Sequence, residues 1–403
     1  MKNNDEIVSN FSEYVMSAIG NINGKAPKGL ILVVNTGSIT TKFAVYKDGD
    51  ILLEQKLEHS VQELSKFADV MDQDDMRTNA IISALKEKGI RLEDIDIVMC
   101  RGGLFTPCIT GVYDVNKDMR TVLSESREGN HACNLSALIG DNIAHEVNIL
   151  RVKAGIKPTF GPCIAYVADP PMADEMLPEC HVGGIPEFPR RTLFHALNTR
   201  AIMRRYLRDT GRKAEDTTAI ICHMGGGVTI STHRGGKVID TSHGLGGDGP
   251  ITPERAGCCP PYPLIDMCFS GKYTKQEIKK KLIGKGGAVA YFGTNDMRVI
   301  VQKAKEGDPE YVVFMKAFVL NIAKYIVAQG ALVEGKVDVI ILTGGVAYSK
   351  DITDAITKKV SWLAPVKVYP GENELESLAE NGYIILAGAT KIHTYNKDHL
   401  VED

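Results

Sequence analysis

The feature that most narrows the fold of this chain is a pattern that occurs twice. LILVVNTGSITTKFAVYKDGDILLE, Leu30 to Glu54, begins as an apolar strand and breaks at Asn35-Thr36-Gly37-Ser38. It resumes as an alternating strand over Thr41 to Tyr46, turns at Asp48-Gly49-Asp50 and enters another strand. TAIICHMGGGVTISTHRGGKVIDTSHG repeats the plan: a buried strand at Ala219 to Cys222, a bend at Gly225-Gly226-Gly227, a strand from Val228 to Thr232, a turn at Arg234-Gly235-Gly236 and a strand at Lys237 to Thr241. Two copies of strand, small-residue bend, strand, glycine turn and strand imply a duplicated unit with its copies in different domains. A third segment, KVDVIILTGGVAYSK, is an apolar strand that ends abruptly in Gly344-Gly345.

Such bends have a chemical use. Without side chains, glycines permit close approach, and successive N–H groups can converge on phosphate oxygens. Asn35, Ser38, Thr40 and Thr41 add hydrogen-bonding groups, and Lys42 can compensate phosphate charge. The first bend is not the dinucleotide fingerprint, which needs Gly-x-Gly-x-x-Gly opening a helix; here a second strand follows. Three bends in two domains can hold a nucleotide across a cleft between them.

Composition restricts the alternatives. With 403 residues, 44% of them hydrophobic, the chain can bury large cores and is expected to form two domains. A formal charge of -3 gives no electrostatic reason to expect nucleic acid or an anionic membrane as the main partner. No uninterrupted apolar run reaches membrane length. The first 28 residues lack the apolar core of a secretory signal; Ile7, Phe11, Val15 and Ile19 predict a short amphipathic helix. Nine cysteines without a Cys-x-x-Cys pair read as reduced thiols, so a cytoplasmic location is expected.

Elsewhere the chain alternates as mixed α/β. Helices are expected over Asp72 to Lys88, Asn130 to Leu150, Arg190 to Arg208 and Pro309 to Gly335, and a strand over Ile95 to Met99 that runs into the loop Arg101-Gly102-Gly103. GPCIAYVADPP is a buried strand closed by Asp169-Pro170-Pro171, a prolyl turn able to aim the carboxylate into a cleft. Thr241 to Leu264 lacks periodicity and carries Asp248, Glu254 and Arg255, and a loop this long is more often functional than idle.

The segments NTGSITTK, CRGGLFTP, HACNLSA, ADPPMADE, FHALNTRA, CHMGGG, TSHGLGGDGPITPERAG, GKGGAVAYFGTND, LTGGVAYS and VYPGENELESLAENG, in this order and spacing, resemble the butyrate kinase group of the acetokinase family. The resemblance spans nearly the whole chain from Gly29. It implies an α/β, two-domain actin-like ATPase fold, shared with acetate and sugar kinases and chaperone ATPases, with a duplicated core and an interdomain cleft. It also implies use of ATP/ADP and Mg2+ to interconvert a short-chain carboxylic acid and its acyl phosphate, and a homodimer. The implied domains are a first over 29–190 on the acyl-substrate side and a second over 191–368 on the nucleotide side. Residues 1–28 form an N-terminal extension, and 369–403 are a helical segment returning to the first domain.

By position, the resemblance assigns Asn35, Ser38, Thr40 and Lys42 to the first phosphate loop, His223 with Gly225, Gly226 and Gly227 to the second, and Gly344 and Gly345 to the adenosine side. Arg101 and Arg255 resemble the pair holding carboxylate and transferring phosphoryl group, and Asp169 the carboxylate that serves Mg2+ or substrate positioning. His131 and His195 match active-site histidines of related acyl kinases, and His131 and Asn134, with Arg101 and Arg255, are the residues expected to bind the substrate. Several positions depart from the family's usual text: Thr36 stands at a proline, His181 at an arginine, Gly246 and Asp248 at an Asp and a Glu, and Ala389-Thr390 at an acidic pair. These leave a kinase for another small carboxylate, or a silent nucleotide-binding paralogue, as alternatives.

Overall fold

A computed structural model describes residues 28–246, 248–372 and 374–397. The amphipathic helix expected over Ile7 to Ile19 lies outside the described residues. The chain divides into two compact units, one running to Ala173 and resuming after Asn373, the other Asp174–Glu372.

In the first unit, β1 (Leu30–Thr36), β2 (Thr40–Lys47) and β3 (Asp50–Glu58) form an antiparallel meander. β4 (Ile97–Cys100) and β6 (Ala165–Ala168) extend it in parallel from β1; β5 (Val112–Asp114) is antiparallel to β6. β1 is buried along its whole length, which is why it reads as an unbroken apolar run, whereas β3 alternates half-buried and exposed residues at the sheet edge. The helices Asn134–Ala154 and Glu374–Leu386 pack on β1 and β4. A Cβ at Gly140 of the first helix would strike Cys100 Sγ, and one at Gly382 of the second would come within 2.8 Å of Ile31, so both glycines set how closely the helices sit.

The second unit repeats this arrangement. β7 (Thr218–Met224), β8 (Val228–Arg234) and β9 (Lys237–Thr241) are the meander, and β10 (Val339–Gly344) and β11 (Val366–Pro370) extend it in parallel from β7. The helix Pro309–Ala331 packs Phe314, Phe318, Ile322 and Ile326 into the core beneath it. It starts at an Asp308 cap that accepts from Glu310 N–H. Among the described residues it alone is long and apolar enough to cross a membrane, by length and composition.

The C-terminal segment differs from a single returning helix. Its helix ends at Leu386, and β12 (Ile392–Thr394) then pairs in parallel with β5 at the end of the first unit's sheet. Gly388, at φ 66°, reverses the chain between them. A three-residue, mostly exposed strand carries too little alternation to be read from sequence.

Candidate active site

Ligands of open α/β sheets gather outside the carboxyl ends of parallel strands, and in each unit the predicted residues lie at those ends. In the first unit, β1 ends at Asn35 and Thr36, β4 runs into Arg101, and β6 runs into Asp169. Lys42 is the exposed residue directly across from Asn35 on β2. Asn35 Nδ2 donates to Glu374 Oε2 at 2.6 Å, Arg101 Nη1 donates to Asn35 Oδ1 at 3.4 Å, and the guanidinium lies 3.7 Å from Glu374. The sheet end therefore holds a cation and an amide joined to one carboxylate.

Asp169 is buried and adopts a left-handed backbone, φ 44°, with its N–H held by the Gly111 carbonyl at 2.9 Å. That conformation is uncommon for a residue with a Cβ and tends to be kept where geometry matters. Asn134 is fully buried, and its amide accepts from Leu104 N–H at 2.8 Å and donates to the Gly129 carbonyl at 3.0 Å, bracing the loop that follows Arg101. His131 is exposed; its Nδ1 accepts from Cys133 N–H at 3.2 Å. Thr36 uses what proline lacks: its N–H donates to Ser136 Oγ at 2.9 Å, and its hydroxyl donates to the Ala132 carbonyl at 2.6 Å.

In the second unit His223 and Thr343 are register partners on β7 and β10. The Gly225-Gly227 bend closes through Gly225 N–H to the Gly227 carbonyl at 2.8 Å. A Cβ on Gly227 would collide with the Arg255 guanidinium, and one on Gly225 would come within 2.7 Å of Glu372 Oε1. Gly344, φ 89°, exchanges two 3.1 Å backbone bonds with Gly371, and its neighbour Gly345 opens a short helical turn with clear space about its Cα.

His195 and His223 stack face to face. His195 Nδ1 lies 2.8 Å from Thr229 Oγ1, and His223 Nδ1 lies 2.8 Å from Asn198 Oδ1. Asn198 Nδ2 in turn donates to the Glu372 carbonyl at 2.9 Å, which fixes the amide's orientation and puts the proton of His223 on Nδ1. Nε2 of His223 is buried without a hydrogen-bond partner among the described residues, with Glu372 Oε1 3.6 Å away.

Arg255 follows a turn organised by Thr252, whose hydroxyl donates to the Gly226 carbonyl at 2.7 Å and accepts from Arg255 N–H at 2.9 Å. Arg255 Nη1 donates to the Gly244 carbonyl. Burial lowers the guanidinium's pKa, opposed by neighbouring Glu254, but arginine stays charged. This side chain meets a cavity of about 510 Å3 whose other walls include Val228, Leu245, Pro250, Leu264 and Ile283. At the departures from family pattern, Asp248 pairs with Arg190 at 2.9 Å, Gly246 sits where a Cβ would come within 2.7 Å of the His243 ring, and His181 lies 3.3 Å from Asp174.

Residues of these clusters not singled out from sequence include Asn198, Thr229, Thr252, Glu372 and Glu374, and beside the first bend Arg77, whose Nη1 donates to the Gly37 carbonyl at 3.0 Å. Arg77 left a trace, standing in register with Ile81, Ala84 and Leu85 on the buried stripe of the Asp74–Glu87 helix, where a charge is out of place. The others lie beside recognised motifs with no periodicity of their own.

Comparison with known proteins places these two sheets, with their small-residue bends and nearby cations, in a kinase family. The acetokinase family model matches residues 187–395. Butyrate kinase 1 and butyrate kinase 2 of Clostridium acetobutylicum are 40% and 41% identical over 365 residues, 91% of this chain and 99% of theirs. Among solved structures, acetate kinase from Porphyromonas gingivalis superposes with a TM-score of 0.70 at 19% identity, over 89% of this chain and 100% of its own. A propionate kinase from Francisella tularensis gives 0.68 at 19%, over 88% and 98%. The fold is the actin-like fold of these kinases. The chain belongs to the acetokinase family.

Proposed function

We propose that the protein transfers the γ-phosphoryl group of Mg-ATP to a short-chain carboxylate, butyrate or isobutyrate first, and runs in reverse to make ATP from the acyl phosphate. The observation that carries this reading is Arg255, held against a triple-glycine bend and exposed to a largely apolar cavity. Mostly apolar walls with two cations, Arg255 and Lys279, suit a small organic acid, and this reading puts the acid on the second unit, where the resemblance alone put it on the first; the cavity falls within the range of small-molecule sites. The relatives named butyrate kinases support the same chemistry.

A carboxylate is already an anionic nucleophile, so no general base is required. Its oxygen attacks the γ-phosphorus, the bond to the β,γ-bridging oxygen breaks, and ADP leaves with that electron pair. The protein's task is alignment and charge compensation. Arg101 and Arg255 hold the carboxylate and the transferring oxygens; backbone donors of the two bends, with Asn35, Ser38, Thr40 and Lys42, take the phosphates. Gly344 and Gly345 let the adenosine side approach. His223 Nε2, beside the Gly225 bend and Glu372, addresses a phosphate oxygen. Asn134 holds the Arg101 loop, and His131 and His195 border the reacting groups. No residue forms a covalent intermediate.

Among the described residues no group of three or more His, Cys, Asp or Glu forms a metal cluster. Mg2+ bound with a nucleotide needs only one or two protein carboxylates, and Asp169, buried at the end of β6, would be the one to hold it; when bound, the ion would offset phosphate charge. We further propose a cytoplasmic homodimer.

The size of the cavity and the Gly246 and Asp248 departures favour one second reading, a kinase for a longer, branched or aryl acid. Trapping the acyl phosphate as its hydroxamate, across acids from acetate to aryl-substituted carboxylates, tests both. Folded protein that binds Mg-ATP but yields no hydroxamate with any acid, and no ATP from ADP and acyl phosphates, would be a silent paralogue.

A further inference from the structure

We infer that Arg77 is the positioning residue of the first phosphate loop: it turns the loop's carbonyls inward, and its loss selectively weakens binding of the nucleotide's phosphates. The inference rests on the assignment of that loop to phosphate. Arg77 is fully buried in the Asp74–Glu87 helix, yet apart from Gln73 at that helix's start its hydrogen-bond partners all belong to the bend and the strand it opens. Nη1 donates to the carbonyls of Gly37 at 3.0 Å and Thr40 at 2.9 Å and to Thr41 Oγ1 at 3.1 Å. Nη2 donates to the Ser38 carbonyl at 2.9 Å and Gln73 Oε1 at 2.8 Å, and Nε donates to Gln73 at 3.2 Å. No carboxylate accepts from the guanidinium in these bonds. A buried cation compensated by main-chain dipoles is costly unless the geometry it imposes is used.

What it imposes follows from peptide geometry. Each peptide here is trans, so the carbonyl of one residue and the N–H of the next point in opposite directions. Drawing the Gly37 and Ser38 carbonyls onto Arg77 turns the N–H groups of Ser38 and Ile39 to the other side of the loop. Neither is a donor in a backbone bond among the described residues. Two convergent, unspent N–H groups form an anion-binding nest, and Arg77 adds positive potential behind them. His59 completes the support: its Nε2 lies 2.9 Å from Thr41 Oγ1, and burial, with Arg77's charge adding to it and Glu63 opposing it, lowers its pKa. Groups facing it are Glu63 and Arg77.

The test compares Arg77→Ala and Arg77→Lys with the wild-type chain, measuring equilibrium affinity for ATP and for adenosine, acyl phosphate formation, and melting temperature. Lysine keeps the charge but offers three donors from one point, too few and too clustered for five separate acceptors. Both variants are expected to bind ATP about 10- to 100-fold more weakly, the order set by losing charge-assisted hydrogen bonds, with adenosine affinity nearly unchanged. n-Propylguanidinium, but not n-butylammonium, should restore part of the ATP affinity of Arg77→Ala. Should the alanine variant fail to fold, Arg77→Lys decides. A folded variant with wild-type ATP affinity, or with equal losses for ATP and adenosine, overturns the inference. Wild-type chain that binds ATP normally yet forms no acyl phosphate overturns the proposed reaction and leaves the Arg77 comparison decisive; wild-type chain that binds no ATP overturns both.

Discussion

The imidazole rings of His195 and His223 stack with centroids 3.8 Å apart and planes 13° from parallel. The stack fixes the two rings against each other. Asn198 orients the buried member, leaving Nε2 as the edge that addresses Gly225 and Glu372. Asn198→Ala should therefore lower kcat by about 10- to 100-fold, and His223→Gln by about 100-fold or more, the scale for losing one preorganised donor to a transferring group. Steady-state kinetics on each variant, with melting temperature as the folding control, check this; wild-type kcat in His223→Gln would remove the ring from the reaction.

Gly227 and Arg255 define a second relationship, because a β-carbon on the glycine would occupy space now held by the guanidinium. Gly227→Ala should reproduce much of the kinetic defect of Arg255→Ala without removing a charge. Losing an electrostatic contact of this kind costs roughly 1.5–3 kcal/mol in effective interaction. The expected result is a loss of acyl phosphate formation in both variants, and near-normal kcat/KM in either would place Arg255 outside the reacting groups.

How much of this arrangement sequence discloses depends on the physical scale of each signal. The duplicated meander was legible because β1 and β7 are buried along nearly their full lengths and each is followed by a small-residue bend, patterns that local composition records. Arg101, Asp169 and Arg255 were legible as charged residues after strands or inside an aperiodic loop. Glu374 was not: it touches Asn35 and Arg101 only because its helix folds back beside β1, a contact across most of the chain. From sequence Thr36 stood out only as a departure at a proline position, whereas its N–H and hydroxyl are committed to the Asn134–Ala154 helix and the turn before it. β12 was missed because three residues fix a strand through pairing alone.

That reading of Thr36 predicts a stability effect. Thr36→Val preserves shape and the backbone N–H bond to Ser136 Oγ but leaves the buried Ala132 carbonyl without its hydroxyl donor, costing about 1–3 kcal/mol. Urea unfolding should show a lower midpoint with an unchanged slope. An unchanged midpoint would mean that other contacts hold the bend.

His233 gives a signed pH dependence. Burial within β8, with Arg200's charge adding to it, lowers its pKa to about 3 from an ordinary value near 6.5. The unfolded chain therefore binds a proton that the folded one refuses between those values. This contribution is fully present above about pH 6.5 and is lost as pH falls toward about 3. Denaturant unfolding from pH 7 to 4 should show stability falling more steeply in the wild type than in His233→Gln; parallel slopes would show that His233 is not refusing its proton.

The last prediction concerns substrate choice, where this chain departs from its family's pattern. Asp248 is bound to Arg190, which is itself fastened to Asp240 and to the carbonyls of Cys180 and Thr241. The Asp248 carbonyl also accepts from His243 N–H at 2.9 Å, while Nδ1 of that histidine accepts from Leu245 and Gly246 N–H. The loop wall of the cavity is thus pinned from outside by one ion pair. Asp248→Asn should slacken the wall without touching the phosphate bends, so KM for ATP should hold while the ranking of acids changes. A change of one methylene in optimum length corresponds to about 1–3 kcal/mol, or roughly 10- to 200-fold in relative kcat/KM. Hydroxamate yields across straight, branched and aryl acids, for wild type and variant, read this directly. Profiles that superimpose would show that this cavity does not select the acyl chain, and would turn attention to the Arg101 loop of the first unit.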